Sequence, residues 1–237
     1  MGSKGAPFGS YAKHVLSDPV TKAIGETAES VLQVSTEFGA IKAYAYVFNG
    51  STQEAGGDDA VDQNGLSLAY VSESKSSSMD IGIDYINNIA DSNSIGSYLE
   101  GKSLTEVQSY VPASIIHANL SFGSFHFVFE HLAADQFDAS EIAFNGNGAE
   151  ITATNLEVGY DLTISGMDST VAIASQSTEE AVALGMPKLK VLAAISFGIA
   201  KYTALSFEYA NSTDYDVADG GTGESATSYT LQLAVGF

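Results

Sequence analysis

The chain has 237 residues, 29 acidic against nine basic side chains, a net charge of −20, and neither cysteine nor tryptophan. That balance offers no basic stripe to neutralise phosphates and no cationic helix for anionic lipid, so nucleic acid and peripheral membrane docking are excluded. Without cysteine there is no disulfide scaffold and no thiolate metal site.

The opening MGSKGAPFGSY lacks the apolar core of a signal peptide, and the chain reads as one whose start has been cut. Residues 4–9, KGAPFG, are expected to end an outgoing strand. Residues 9–29 then form a long outer loop, with a helical patch in SDPVTKAIGETAES at 17–30 that folds in or over a pore. Eleven segments follow that alternate or tolerate alternation: 30–37, 40–48, 64–72, 78–86, 113–122, 125–132, 151–162, 168–176, 189–197, 202–210 and 225–237. Each is near the length a tilted strand needs to cross a hydrocarbon core. No window of the sequence is apolar for long enough to make a transmembrane helix.

The connections alternate short and long. Short ones sit at Phe38-Gly39, 73–77, Gly123-Ser124, 163–167 and 198–201; long ones cover 49–63, 87–112, 133–150, 177–188 and 211–224. Short turns on one side and long loops on the other are the layout of an outer-membrane barrel. A soluble β-sandwich has nothing that forces this alternation. The expected fold is all-β: one antiparallel up-and-down transmembrane β-barrel domain over residues 1–237. It has about 12 strands with the remnant at 4–9 and is incomplete at its N-terminus.

In such a barrel the apolar face meets lipid and the polar face lines a wet lumen. Phe125, Phe127 and Phe129 oppose His126 and Glu130. Ile116, Ala118, Leu120 and Phe122 oppose His117, Asn119 and Ser121. Leu156, Val158, Tyr160 and Leu162 oppose Asn155, Glu157, Gly159 and Asp161, while Ile81, Ile83 and Tyr85 oppose Asp80, Gly82 and Asp84. Leu205, Phe207 and Tyr209 oppose Ser206 and Glu208. Mid-strand carboxylates without partners do not suit a packed soluble interior. The polar faces are therefore either the exterior of a soluble protein or the lining of a channel. The candidate lumen residues are Asp80, Asp84, His117, Asn119, His126, Glu130, Asn155, Glu157, Asp161 and Glu208. Segment 40–48 resists assignment, because Tyr44, Tyr46 and Phe48 share parity with Lys42.

Pairing across Gly123-Ser124 sets His117 opposite Glu130, as a ligand pair or a cross-strand salt bridge. A metal needs three or four ligands and no third is visible, so no metal and no cofactor is expected. Acidic loop clusters (Glu54, Asp58, Asp59, Asp62; Asp135, Asp138, Glu141; Asp214, Asp216, Asp219) lack the spacing of a calcium loop. They are solvated surface or a bias toward cations. No Ser/His/Asp set has a catalytic spacing, so no enzyme is expected.

The chain ends in TSYTLQLAVGF, with Tyr229, Leu231, Leu233, Val235 and Phe237 on one face. Parity places that end on the short-turn, periplasmic side and that face toward lipid. The segment resembles the C-terminal aromatic signal that outer-membrane proteins show to the barrel-assembly machinery.

Further stretches carry a resemblance: PFGSYAKHVLSDPVTKAIGETAES, YINNIADSNSI, FDASEIAFNGNGAEITATNLEVGY, EEAVALGMPKLKVLAAISFGIAKYTALSFEY and LQLAVGF. In this order they resemble the LbtU-type siderophore porin family of Gram-negative outer membranes, over most of residues 4–237. The resemblance implies a plug-less barrel that takes part in ferric-siderophore uptake, with further N-terminal sequence, and it assigns no ligand residue. The partners it implies are outer-membrane lipid, the assembly machinery and a small solute or ferric siderophore. The alternatives are a general cation-biased diffusion porin and a structural or adhesive barrel with acidic outer loops.

Overall fold

The computed structural model describes residues 5–57 and 60–236. Its main feature is one sheet of 11 strands, each hydrogen-bonded to the next in chain order. They are β1 (Val31–Phe38), β2 (Ile41–Phe48), β3 (Gln63–Glu73), β4 (Ser77–Ile86), β5 (Ala113–Phe122) and β6 (Phe125–Ala134). The remainder are β7 (Thr152–Ile164), β8 (Met167–Glu179), β9 (Leu189–Ala200), β10 (Thr203–Thr213) and β11 (Ser225–Val235). Every pairing is antiparallel. β1 and β11 are the two edges. All eleven expected strands are present, so the up-and-down topology follows the alternation read from the sequence.

Loop lengths also alternate as expected. Tight connections at 39–40, 123–124 and 165–166 carry positive φ at Gly39 (62°), Gly123 (56°), Ser165 (52°) and Gly166 (82°). Such left-handed residues match the twist of two-residue hairpins. The long loops on the other side hold short structure of their own. Helix α2 (Asn93–Gly101) lies in the second, and Gln53–Glu54 pairs with Glu106–Val107 to join the first two. The Gly-rich 145–150 stretch closes a two-residue ladder, Ala143–Phe144 against Asn147–Gly148.

The two faces of the sheet differ. One is bare and apolar: Val34, Leu68, Ile83 and Leu231 are 72%, 50%, 52% and 73% exposed. The other is covered from β2 to β10 and open at the edge strands β1 and β11. β2 now has a facing: Ala43 and Ala45 pair with Leu68 and Leu66 on the bare side, so Lys42, Tyr44, Tyr46 and Phe48 point to the covered side. Tyr46 stands opposite Gly65, and a methyl group at Gly65 would meet the Tyr46 ring at 2.2 Å and the Tyr85 carbonyl at 2.5 Å. The glycine leaves the surface on which the ring rests. Gly65→Ala is expected to lower stability by about 1–3 kcal/mol through overpacking, read as a lower denaturant midpoint with the sheet retained.

Toward the long-loop ends the covered face holds a dry core. Phe8, Ile24, Phe48, Ile86, Ile95, Leu99, Ile115, Leu132, Phe137 and Ile142 are all buried there in one cluster. Tyr215 anchors the last two long loops by its hydroxyl, 2.7 Å from Thr178 Oγ1 and accepting the Ala181 amide at 3.2 Å.

The N-terminal stretch departs from expectation. Lys4 lies outside the described residues, and 5–9 is not the end of a strand. Residues 9–29 are not an outer loop. Residues 9–17 lie along the covered face as an irregular strap that bends at 14–17, followed by helix α1 (Val20–Gly25), which packs on β7, β6 and β8. The helical patch folded inward, as the 17–30 sequence suggested.

Candidate functional site on the covered face

The strap crosses the strands in chain order, and a row of strand carboxylates receives its backbone. Asp84 on β4 accepts the Gly9 amide at 3.1 Å. Glu130 on β6 accepts the Ser10 and Tyr11 amides at 2.9 and 3.1 Å and the Thr21 hydroxyl at 2.5 Å. Glu157 on β7 accepts the His14 amide. Glu208 on β10 accepts the Leu16 and Ser17 amides at 2.6 and 2.9 Å and the Ser17 hydroxyl at 2.5 Å. These four carboxylates are only 1–2% exposed. Burying them without partners would be costly, and the hydrogen bonds from the strap are what make it tolerable. The strap bends to reach them: Gly9 has φ 89°, and Tyr11 has φ 53°, a left-handed value uncommon outside glycine.

Charges on the strap are shaped by the same packing. Burial, then Glu130 and Asp84, push the Tyr11 phenol well above its usual range. Burial and the nearby His126, whose ring lies 4.5 Å away, push the His14 imidazole down. Lys13 donates to Asp18 at 2.5 Å and, despite partial burial, holds that carboxyl below its usual value.

All ten residues singled out as lumen candidates lie on this face, but in different company from that expected. His117 is opposite Glu130 in register, yet its ion partners are Asp80 and Asp84, each at 3.3 Å. The reason is local: directly opposite His117 on β4 is Gly82, where an added Cβ would strike the imidazole at 2.4 Å. The ring lies over the glycine and reaches its diagonal neighbours. His126 bonds Asp161 at 2.8 Å and Ser121 at 2.9 Å. Asn119 donates to the Ser10 hydroxyl at 2.6 Å. Asn155 and its register partner Gln176 are each 1% exposed, and their amide atoms lack hydrogen-bond partners among the described residues. Buried polar groups of this kind are ordinarily met by water. No group of three or more metal-ligating side chains is found among the described residues.

The acidic loops mostly organise themselves. Asp138 accepts the Ser140 amide and hydroxyl. Asp214 accepts the Tyr215 amide and the Thr222 amide and hydroxyl, and Lys188 pairs with Asp216 at 3.4 Å and Asp219 at 3.9 Å. Asp62 accepts the Tyr110 hydroxyl at 2.9 Å, which with burial pushes the phenol up to about 12. Asp58 and Asp59 lie outside the described residues. At the C-terminus, Tyr229, Leu231, Leu233 and Val235 pair with Tyr209, Phe207, Leu205 and Thr203, and all four are exposed. Phe237 lies outside the described residues.

Eleven antiparallel strands in up-and-down order, apolar on one face and polar on the other, define the β-barrel class. The solved anion-selective porin from Comamonas acidovorans shares this fold, with a TM-score of 0.57 over 93% of this chain and 66% of that one at 13% identity. In sequence the chain is similar to a UPF0422 protein of Coxiella burnetii (strain RSA 493 / Nine Mile phase I), 26% identical over an aligned length of 234, gaps included, which covers 96% of this chain and 50% of the relative. A UPF0422 protein of Legionella pneumophila (strain Lens) is 26% identical over an aligned length of 260, gaps included, which covers 98% of this chain and 49% of that protein. The chain thus spans about half the length of the curated relatives it matches. No protein-family model matches it.

Proposed function

We propose that this chain is the barrel portion of an outer-membrane porin, with its bare face in lipid and its covered face lining the lumen. One observation carries the reading: a continuous apolar face backs onto a face that holds a row of carboxylates and hollows. A soluble monomer does not leave an apolar surface of that extent in water. A bilayer-spanning barrel requires it. The lumen residues are then the ten named above, and the strap is the constriction. The C-terminal face with Phe237 is the signal read by the barrel-assembly machinery. The path serves small solutes by diffusion, without an enzymatic step.

Within that class, the resemblance to LbtU-type proteins supports ferric-siderophore uptake as the finer reading. Loss of the gene would then slow ferric-siderophore uptake and leave other solutes alone; unchanged siderophore uptake with a fall in general permeability points to a plain diffusion porin. The class itself is tested in planar bilayers with the full-length protein. Stable conductance steps support it, and a correctly inserted but silent barrel contradicts it. A second reading, a structural or adhesive barrel, is favoured by one feature: the dry core and strap already fill much of the covered face.

A further inference from the structure

We propose that Asp80 and Lys42 set the charge preference of the pore, in a hollow between the strap and strands β2–β5. The buried carboxylate row, by contrast, sets only how far the strap intrudes. This rests on the porin reading above and names the part of the lumen that meets the solute.

The four carboxylates of the row are buried and turned onto strap donors; Asp84 borders the hollow but is held between the Gly9 amide and His117. Asp80 is different: its side chain is 40% exposed, against 2% for Asp84 four residues on. It borders a hollow of about 280 Å³ walled by Lys42, Tyr44, Ser67, His117 and the strap residue Ser10. A second hollow of about 210 Å³ shares Asp80 and Val71. It passes Ala12 and His14 and reaches Glu73 and Ser78 at the short-turn end. Asp80 therefore stands where the two meet.

The register explains the space. Lys42, Ala69, Gly82 and His117 form one row across β2 to β5. The His117 ring covers Gly82, so the gap opens over the small Ala69, between Lys42 at one end of the row and the His117 ring at the other. Lys42 has one ion pair, with Glu37 at 3.7 Å and largely exposed, which is worth little. Its ammonium and the Asp80 carboxylate thus face the same gap with opposite sign. His117, Asp84 and Tyr44, with His14 and Glu73 along the second hollow, are the other titratable groups around it. Charge at the narrow part of a path selects ions, whereas exposed charge farther off is screened beyond about 8–10 Å. The acidic loops sit at the long-loop ends, so a net charge of −20 does not by itself fix selectivity.

The test is the reversal potential in an about tenfold KCl gradient, on full-length protein carrying Asp80→Asn, Lys42→Gln or the loop control Asp138→Asn. Asp80→Asn leaves Asp84 to hold His117, so the sheet is retained. The expected result is a K⁺ over Cl⁻ permeability ratio about twofold lower in Asp80→Asn and about twofold higher in Lys42→Gln, with Asp138→Asn unchanged. In an Asp80→Cys variant, attaching a sulfonate restores the wild-type ratio and attaching a trimethylammonium lowers it further. Conducting variants with wild-type potentials overturn the inference and leave the porin standing. Silence from every protein, wild type included, overturns the porin reading and this inference with it.

Discussion

On the porin reading, replacing Glu130 and Glu208 together by alanine is expected to release the strap and raise single-channel conductance about twofold or more. The two carboxylates accept six hydrogen bonds from Ser10, Tyr11, Thr21, Leu16 and Ser17. Leaving a buried donor without its acceptor costs roughly 1–3 kcal/mol, so the docked strap loses more than its short irregular backbone recovers elsewhere. The sheet does not share that loss, because its ladders run strand to strand. Amide exchange gives a readout free of the pore: residues 9–17 lose protection in the double variant and β6–β10 keep theirs. A strap that stays protected in the variant contradicts the carboxylate row as its anchor.

The second large effect is on insertion. Ile83 is 52% exposed on the bare face, paired with Leu68 and Ile116. Ile83→Arg is expected to cost about 2–4 kcal/mol of stability in a bilayer, the depth-dependent penalty of a cation on the lipid face. Ser67→Arg, one strand away on the covered face beside Asp84, is expected to cost much less, since its guanidinium meets carboxylates and water. Folding into liposomes titrated with denaturant measures both. Equal costs on the two faces would mean that neither faces lipid.

The fold was legible where side chains carry the signal. Alternation in 78–86 and 125–132 fixes both strand and facing, because the sheet's period is two and one face is apolar. The glycine turns fix the hairpins. β2 was illegible alone: its aromatic face and its alanine face both pass for apolar. The deciding feature is Gly65 on the next strand, which makes room for Tyr46.

The site was half legible. Carboxylates in mid-strand signal that something must meet them, and Asp84, Glu130, Glu157 and Glu208 are met. Their partners are backbone amides, which every residue but proline carries, so no sequence pattern announces the strap. A stretch expected as an outer loop and a strand remnant therefore became the covering of the sheet. His117 was placed in the right register but with the wrong partner, because a glycine opposite sends the ring to the diagonal carboxylates. Gly82 between Asp80 and Asp84 was the available signal.

The central claim is that the bare face meets lipid and the covered face meets water. The chain has no cysteine, so single cysteines at positions 80 to 85 of β4 can be nitroxide-labelled in liposomes without background. Oxygen, concentrated in lipid, is expected to relax labels at 81, 83 and 85. A water-soluble nickel chelate reaches 80 but none of those three. If the chelate reaches 81, 83 and 85, the bare face is in water and the account is wrong.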